Sequence, residues 1–243
     1  MAVSTSAAAG ADRRAELSEN LAALRTRIAA ACAAAGRRTE DVTLIAVTKT
    51  FPASDVALLS ELGVTEVGEN KDQDAKLKAA ECATLGLPLT WHFVGQLQVN
   101  KCASVVRYAD VIHSVDRLRL VGALGSRART AGRTVTCLVQ VSLDGDRGRG
   151  GALPAEVPAL AATVAGESAL TLGGVMAVAP LGTSPAAAFG RLGEIAHQVR
   201  AAYPSARVIS AGMSADLEEA ITAGATHLRI GTALLGGRRA FVR

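Results

Sequence analysis

Hydrophobic residues recur at two different spacings along the chain, and the change of spacing separates a leading helix from a series of strands. From Arg13 to Ala35 the apolar positions fall three or four residues apart, which predicts an amphipathic helix. Beyond Gly36, short apolar runs rich in β-branched residues alternate with longer helix-like segments, and such runs suit strands buried on both faces. The predicted strands cover 42–48, 65–68, 90–95, 110–114, 134–141, 171–178, 206–210 and 226–230.

The segments between these strands have the composition of helices. They cover 54–62, 72–83, 99–108, 116–130, 155–165, 184–202 and 215–223, and Ser54, Ser184 and Ser214 stand where N-caps belong. Strands that alternate with helices predict a parallel sheet with the helices outside. The eight strands repeat about every 26 residues, which favours a single-domain (β/α)8 TIM barrel over residues 1–243, preceded by an extra helix. A doubly wound open sheet is the alternative, but the first turn, KTFPAS, lacks its GxGxxG motif.

Composition removes several classes of function. The 243 residues are 49% hydrophobic and 3% aromatic with a net charge of +4, so a packed core is expected and a nucleic-acid partner is not. The four cysteines form no CxxC pair, so neither a zinc site nor a redox dithiol is predicted. Residues 1–12 carry no export signal and are interpreted as a disordered tail. Glycine and proline interrupt the uncharged stretch Ser168–Gly190, so we expect a cytoplasmic protein without a membrane partner.

Lys49 follows the first predicted strand at the end where barrels carry their active sites. Strand alternation places Lys49 on the face of Ile45 and Val47, which predicts a position in the barrel interior. Burial there would lower the pKa of the amine and favour a Schiff base with an aldehyde. A surface lysine in a loop is the equally ordinary alternative.

Two loops near the end of the chain have the composition of an anion site. Ser210 to Ser214 follows the seventh strand and Gly231 to Gly237 follows the eighth, and both offer hydroxyls, glycines and backbone N–H groups. Either loop alone is ordinary turn chemistry. Together, opposite Lys49, they favour a phosphorylated aldehyde as the ligand. Arg229 is either an ion-pair residue or a partner for the ring nitrogen of pyridoxal phosphate (PLP).

Six segments, in this order from about residue 40 to 240, resemble the pyridoxal phosphate homeostasis protein family. They are LIAVTKT around Lys49, Gly68-Glu-Asn70, WHFVGQLQVNK from Trp91 to Lys101, His113-Ser-Val-Asp116, Ser210-Ala-Gly-Met-Ser214 and Arg229-Ile-Gly-Thr232. The resemblance implies the barrel of the alanine racemase N-terminal domain, with PLP held as an internal aldimine on Lys49. This sequence differs from many members of the family at two positions. Lys71 stands where they carry an aromatic residue, and Ala211 stands where they carry a bulkier residue.

The same resemblance implies roles for the other residues of the site. Arg229 would face the ring nitrogen, and Asn70 would lie near the ring on its O3′ side. The phosphate cradle would comprise Ser210, the backbone of Met213, Ser214, Gly231 and Thr232. The roles of His92, Gln96, Asn100 and Lys101 stay open. We interpret His92, His113 and His227 as strand-end histidines that local hydrogen bonds satisfy.

The expected function is therefore a PLP carrier or regulator without strong catalytic activity. The alternatives are a PLP-dependent racemase, which in related barrels takes a tyrosine from a second domain, and a Schiff-base aldolase. The chain stops at Arg243, and Tyr108 and Tyr203, the only tyrosines, fall near outer helices, which weighs against a racemase. Glu69 is the one carboxylate that could assist an aldolase lysine. A monomer is expected, PLP-dependent apo-enzymes are candidate recipients of the cofactor, and their identity stays open.

Overall fold

A closed barrel of parallel strands forms the body of the molecule. The computed structural model describes residues 2–146 and 150–237, with side chains from residue 10 onward. Within them the strands are β1 (Thr43–Val47), β2 (Glu66–Glu69), β3 (Thr90–Phe93), β4 (Val111–Val115), β5 (Val135–Gln140), β6 (Leu170–Met176), β7 (Val208–Ser210) and β8 (His227–Ile230). Each strand pairs with the next, and β1 pairs with β8, where Thr43 stands opposite His227. The predicted barrel is confirmed, and closure excludes the open sheet.

Helices pack outside the barrel before the first strand, between consecutive strands and after the last strand. They are α1 (Ala2–Ala34), α2 (Ala53–Glu61), α3 (Asp72–Thr84), α4 (Cys102–Val105), α5 (Leu118–Ala131), α6 (Val157–Gly166), α7 (Pro185–Ala202), α8 (Leu217–Thr222) and α9 (Thr232–Leu235). The helix predicted over 99–108 is shorter, a 3₁₀ turn followed by α4, and α9 was not predicted. No helix among the described residues has the length and apolar character needed to cross a membrane.

The amino-terminal segment differs from the predicted tail. α1 begins at Ala2, so residues 2–12 continue the amphipathic helix rather than preceding it. Five of these residues are alanine, the strongest helix former, which outweighs the absence of an apolar stripe. The predicted domain 1–243 also includes residues 1, 147–149 and 238–243, which lie outside the described part of the chain.

Two of the three helices for which an N-cap was predicted begin after a different residue. Ser184 is the N-cap of α7, as predicted, although its side chain makes no capping hydrogen bond. α2 instead follows Pro52, and α8 follows Asp216. Asp216 accepts a hydrogen bond at 2.6 Å from the backbone N–H of Met213, which folds the preceding loop back on the helix start and displaces Ser214 from the cap.

Side-chain alternation along the strands separates an outer core from a barrel interior. Ala46 and other outward residues pack against the helices in one continuous apolar layer, together with Leu17, Leu21 and Leu24 of α1. Ile45 and Val47 point inward, since their Cγ2 atoms lie 3.1 and 3.3 Å from where a Cβ on Gly68 would stand. Polar side chains of β2, β3, β4, β7 and β8 fill much of the remaining interior.

Candidate cofactor site

The carboxyl ends of β1, β2, β7 and β8 bring most of the predicted site residues to one mouth of the barrel. Val47 is in register with Gly68, so the turns that carry Lys49 and Asn70 are neighbours. Gly231 lies on the other side of β1, where a Cβ would stand 3.4 Å from the carbonyl oxygen of Val47. Active sites of (β/α)8 barrels occupy this end.

Lys49 lies in the turn after β1 rather than in the barrel interior. β1 ends at Val47, Lys49 is exposed, and Thr50 adopts a φ of 71°, a left-handed conformation that costs energy for a β-branched residue. The prediction of a desolvated lysine is therefore wrong for this structure, because the chain leaves the strand two residues earlier. Among the described residues the amine has no hydrogen-bond or ion-pair partner, so it is available to a ligand.

A buried ion pair behind the mouth holds the chain that leads into Lys49. Lys78 of α3 donates to the carbonyl of Thr48 at 2.8 Å and pairs with Glu69, to which the Thr48 hydroxyl donates at 2.7 Å. Glu69 is 1% exposed and Lys78 is 7% exposed. Glu69 therefore points outward toward α3, so it is not placed to serve as the acid or base of an aldolase at Lys49.

The two glycine-containing loops are joined to each other at the mouth. The hydroxyl of Ser214 accepts a hydrogen bond at 3.1 Å from the backbone N–H of Ala233, which ties the loop after β7 to α9. The N–H groups of Ser214 and Thr232 have no partner among the described residues, and Thr232 is exposed. The N–H of Met213 is bound to Asp216, so it is committed within the loop. Unpartnered amides are ready donors for an anion.

Three polar residues of α1, each seven positions after the last, hold these loops from outside. Arg13 donates to the carbonyl of Leu235 and Asn20 to that of Leu234, both at 3.0 Å. Arg27 donates to the carbonyl of Ser214 at 3.3 Å. Sequence reasoning assigned α1 no part in the site. The spacing of Arg13, Asn20 and Arg27 along one helix face was the signal that could have revealed it.

Arg229 lies inside the barrel beneath the mouth and is buried. One guanidinium nitrogen donates to the Ser210 hydroxyl at 2.6 Å and another to the carbonyl of Ala177 at 2.8 Å. Burial lowers the pKa of Arg229 to about 10, against an opposing effect of Asp216. Ser210 is fully buried and engaged with Arg229, so the structure does not bring its hydroxyl to the predicted phosphate cradle. It is the last residue of β7 and alternation turns it inward.

Two of the three strand histidines, His92 and His113, are hydrogen-bonded to each other inside the barrel. His92 bonds His113 at 2.8 Å, His113 bonds Ser210 at 3.0 Å, and His92 also bonds Glu66 at 2.6 Å. Burial, followed by the nearby charge of His92, lowers the pKa of His113 well below its ordinary value and that of His227 to about 4. The interpretation that hydrogen bonds satisfy these histidines is right. The bonds of His92 and His113 cross the barrel, whereas His227 Nδ1 is bonded locally to the hydroxyl of Thr226 at 2.9 Å.

A cleft of about 340 Å³ opens beside Asn70, and residues of the WHFVGQLQVNK segment line it as well. Gln96 and Lys101 line it, whereas His92 of the same segment lies inside the barrel. Gly95 packs against the backbone of Asn70 so closely that a Cβ would stand 2.1 Å from the Asn70 carbonyl oxygen. The glycine of this motif therefore fixes the position of Asn70 at the mouth.

Neither tyrosine reaches the mouth. Tyr108 lines a groove of about 870 Å³ between α3 and α4 on the outside of the barrel, and burial raises its pKa above the ordinary range. Tyr203 follows α7 and lines a cavity together with residues of α6. The four cysteines are buried as free thiols, and the described residues contain no group of His, Cys, Asp or Glu arranged to bind a metal.

Comparison of the sequence with known protein families identifies the class of protein to which this barrel belongs. Residues 20–239 match the family model described as the alanine racemase N-terminal domain. The chain belongs to this class of barrel proteins.

Within that class, proteins of similar sequence identify one family. The chain belongs to the pyridoxal phosphate homeostasis protein family. It is 45% identical to the pyridoxal phosphate homeostasis protein of Mycobacterium tuberculosis H37Rv, over 94% of this chain and 95% of that one. It is 37% identical to the Escherichia coli K12 protein of the same name, over 92% and 97% of the two chains. The solved structure of PipY from Synechococcus elongatus PCC7942, with PLP bound, aligns with a TM-score of 0.77 at 34% identity, over 90% of this chain and all (100%) of that one.

Proposed function

We propose that this protein binds pyridoxal 5′-phosphate at the mouth of its barrel and serves intracellular PLP homeostasis as a carrier or regulator. The observation that carries the proposal is the convergence of three kinds of donor at one mouth. These are the unpartnered amine of Lys49, the unpartnered amides of Ser214 and Thr232, and the buried guanidinium of Arg229. When bound, PLP supplies an aldehyde that condenses with a primary amine, a phosphate and a pyridine nitrogen. The donor set fits each of these groups.

Each residue then has a distinct task. Lys49 supplies the amine for covalent attachment, and Asn70 borders the ring. The amides of Ser214 and Thr232 bind the phosphate, and Gly231 lets the backbone approach it. The Met213 backbone shapes the loop through its bond to Asp216 rather than contacting the phosphate.

Arg229 would face the ring nitrogen and keep it unprotonated, because a guanidinium stays charged and donates rather than accepts hydrogen bonds. An unprotonated ring is a weak electron sink, which favours holding PLP over transforming amino acids with it. Among the described residues, the two candidates for the second acid or base that such chemistry needs are turned away from the mouth, since Glu69 faces Lys78 and Tyr108 lies outside the barrel. We therefore propose a protein without strong catalytic activity, acting in the cytoplasm as a monomer, with PLP-dependent apo-enzymes as candidate recipients.

A titration with PLP followed by visible absorbance tests this function. We expect the wild-type protein to develop a yellow band that saturates at one PLP per chain, and Lys49→Ala to lose it. Lys71→Ala is the matched control, because Lys71 is an exposed lysine beside Asn70, and it should retain the band. A colourless wild type would refute the proposal.

An amino-acid racemase is the alternative function, because the family model is that of an alanine racemase domain. It is tested on the PLP-loaded protein with L-alanine and L-serine, followed by chiral chromatography. We expect no conversion above a Lys49→Ala blank. Racemisation that depends on Lys49 would replace the carrier function by an enzymatic one.

A further inference from the structure

A continuous chain of hydrogen bonds runs through the barrel interior from its amino-terminal end to Arg229. Glu66, the first residue of β2, bonds Nε2 of His92, whose Nδ1 bonds Nε2 of His113, and His113 Nδ1 bonds the Ser210 hydroxyl. Arg229 donates to the same hydroxyl. The four bond lengths are 2.6, 2.8, 3.0 and 2.6 Å. The chain links five strands, and nothing in the proposed binding of PLP requires it.

Only one arrangement of protons satisfies every bond in this chain with neutral histidines and an ionised Glu66. Arg229 can only donate, so the Ser210 oxygen accepts from it and its own proton is free to go to Nδ1 of His113. His113 then carries its proton on Nε2 and donates to Nδ1 of His92. His92 carries its proton on Nε2 and donates to the Glu66 carboxylate. All protons therefore point from Arg229 toward Glu66.

The opposite arrangement fails at the Glu66 end. With His113 protonated on Nδ1, its Nε2 accepts from Nδ1–H of His92, and the bare Nε2 of His92 then faces a carboxylate at 2.6 Å. Two acceptors at that distance repel each other. The Ser210 proton would also have no acceptor, since its oxygen would receive from both neighbours. The geometry thus selects the Nε2–H tautomer of both histidines.

This arrangement of protons strengthens the hydrogen bond that holds the guanidinium of Arg229. Arg229 is 6% exposed and has no salt-bridge partner among the described residues, so its charge rests on the Ser210 hydroxyl and the carbonyl of Ala177. Hydrogen bonds in a chain polarise one another, so a carboxylate at the far end makes the Ser210 oxygen a stronger acceptor. Glu66 retains 29% side-chain exposure at the amino-terminal end, where an ionised carboxylate is inexpensive.

We propose that Glu66, His92, His113 and Ser210 form a positioning relay that holds Arg229 in the orientation in which it meets the PLP ring nitrogen. The relay is a property of the protein without ligand, and only its consequence for PLP rests on the proposed function. Its members act on PLP through Arg229.

The tautomers can be measured directly in the PLP-free protein by ¹⁵N–¹H correlation spectra of the histidine rings at about pH 7.5. The chain has 4 histidines, and His197, exposed on α7, gives the solvent reference. We expect His92 and His113 both as neutral Nε2–H tautomers. A proton on Nδ1 of either ring, or a doubly protonated His92, would overturn the relay.

The consequence for Arg229 is tested by PLP titration of three folded variants, with thermal unfolding recorded for each. Removing the hydroxyl in Ser210→Ala should raise the PLP Kd roughly tenfold and shift the visible band, and removing the charge in Glu66→Gln should raise it roughly threefold. Ser210→Thr retains the hydroxyl and should restore both readouts toward wild type. His197→Asn is the control and should change neither.

The outcomes separate the two proposals. If Ser210→Ala and Glu66→Gln bind PLP with the wild-type Kd and spectrum, the positioning role is wrong. If wild-type protein binds no PLP, the proposed function fails, while the histidine spectra still decide whether the relay exists.

Discussion

Replacing Lys78 by methionine isolates the buried ion pair that supports the turn of Lys49. Methionine keeps most of the side-chain volume but leaves Glu69, at 1% exposure, with only the Thr48 hydroxyl as a partner. One Glu69 oxygen is already buried without a hydrogen bond. The Thr48 carbonyl also loses one of its two donors and keeps only the backbone N–H of Phe51. Breaking a buried pair in this way costs about 3–5 kcal/mol, so Lys78→Met should lower the free energy of unfolding by that amount.

A second substitution distinguishes the stranded charge from lost packing. In Lys78→Met/Glu69→Gln the carboxylate is gone, and the Gln oxygen can still accept from the Thr48 hydroxyl. The double variant should recover most of the loss and remain about 1–2 kcal/mol below wild type, because the hydrogen bond from Lys78 to the Thr48 carbonyl is not restored.

Urea unfolding monitored by circular dichroism provides the measurement, and Lys76→Met provides the control. Lys76 is exposed on the same helix, so its replacement should change stability by less than about 0.5 kcal/mol. The reasoning is refuted if Lys78→Met costs no more than Lys76→Met. It is also refuted if the double variant is less stable than Lys78→Met, because the penalty would then not arise from the charge of Glu69.

Three further substitutions test the mouth, an outer helix surface and the barrel interior. Gly95→Ala places a Cβ 2.1 Å from the Asn70 carbonyl oxygen, so Asn70 must move and the PLP Kd, measured by titration, should rise at least about tenfold. Gly122→Ala, on an open helix surface, should instead stabilise the fold against urea by about 0.5–1 kcal/mol. For His227, burial lowers the pKa from 6.5 to about 4, so the unfolded chain binds the proton first and stability falls as pH drops through that window. The resulting loss in the free energy of unfolding reaches about 3 kcal/mol. Measured by urea unfolding, the free energy of unfolding should therefore fall less between pH 7 and pH 4 in His227→Gln than in wild type, by about that amount. The same fall in both proteins would contradict this account.

The fold was predictable because it depends on a hydrophobic pattern that extends along the whole chain. Apolar runs at regular intervals specify buried parallel strands, and eight of them with intervening helices specify closure. The element ends were less predictable, as α4 and the start of α1 show. Those ends depend on packing and on alanine propensity, which compete with the periodicity signal.

The sequence predicted which residues the strand ends bring to the mouth, but not all the contacts that those residues make. Motif order brought Lys49, Asn70, Arg229 and Thr232 to one mouth, because the carboxyl ends of parallel strands meet there. Alternation beyond the end of a strand was less reliable, since the chain turned before Lys49 and left it exposed.

Contacts between distant segments were invisible in the sequence. The bond from Ser210 to His113 spans 97 positions and that from Asn20 to Leu234 spans 214. No local pattern encodes such pairs. They follow only once the strands have closed into the barrel and α1 has packed across the last loops.

Peptide mapping after reduction with borohydride tests the central claim most directly, because it locates the amine that PLP occupies. Wild-type protein is incubated with PLP, reduced, digested and analysed by mass spectrometry. We predict one pyridoxyl phosphate group per chain, on the peptide that contains Lys49. Labelling confined to Lys71 or Lys101, or no label at all, would contradict the account.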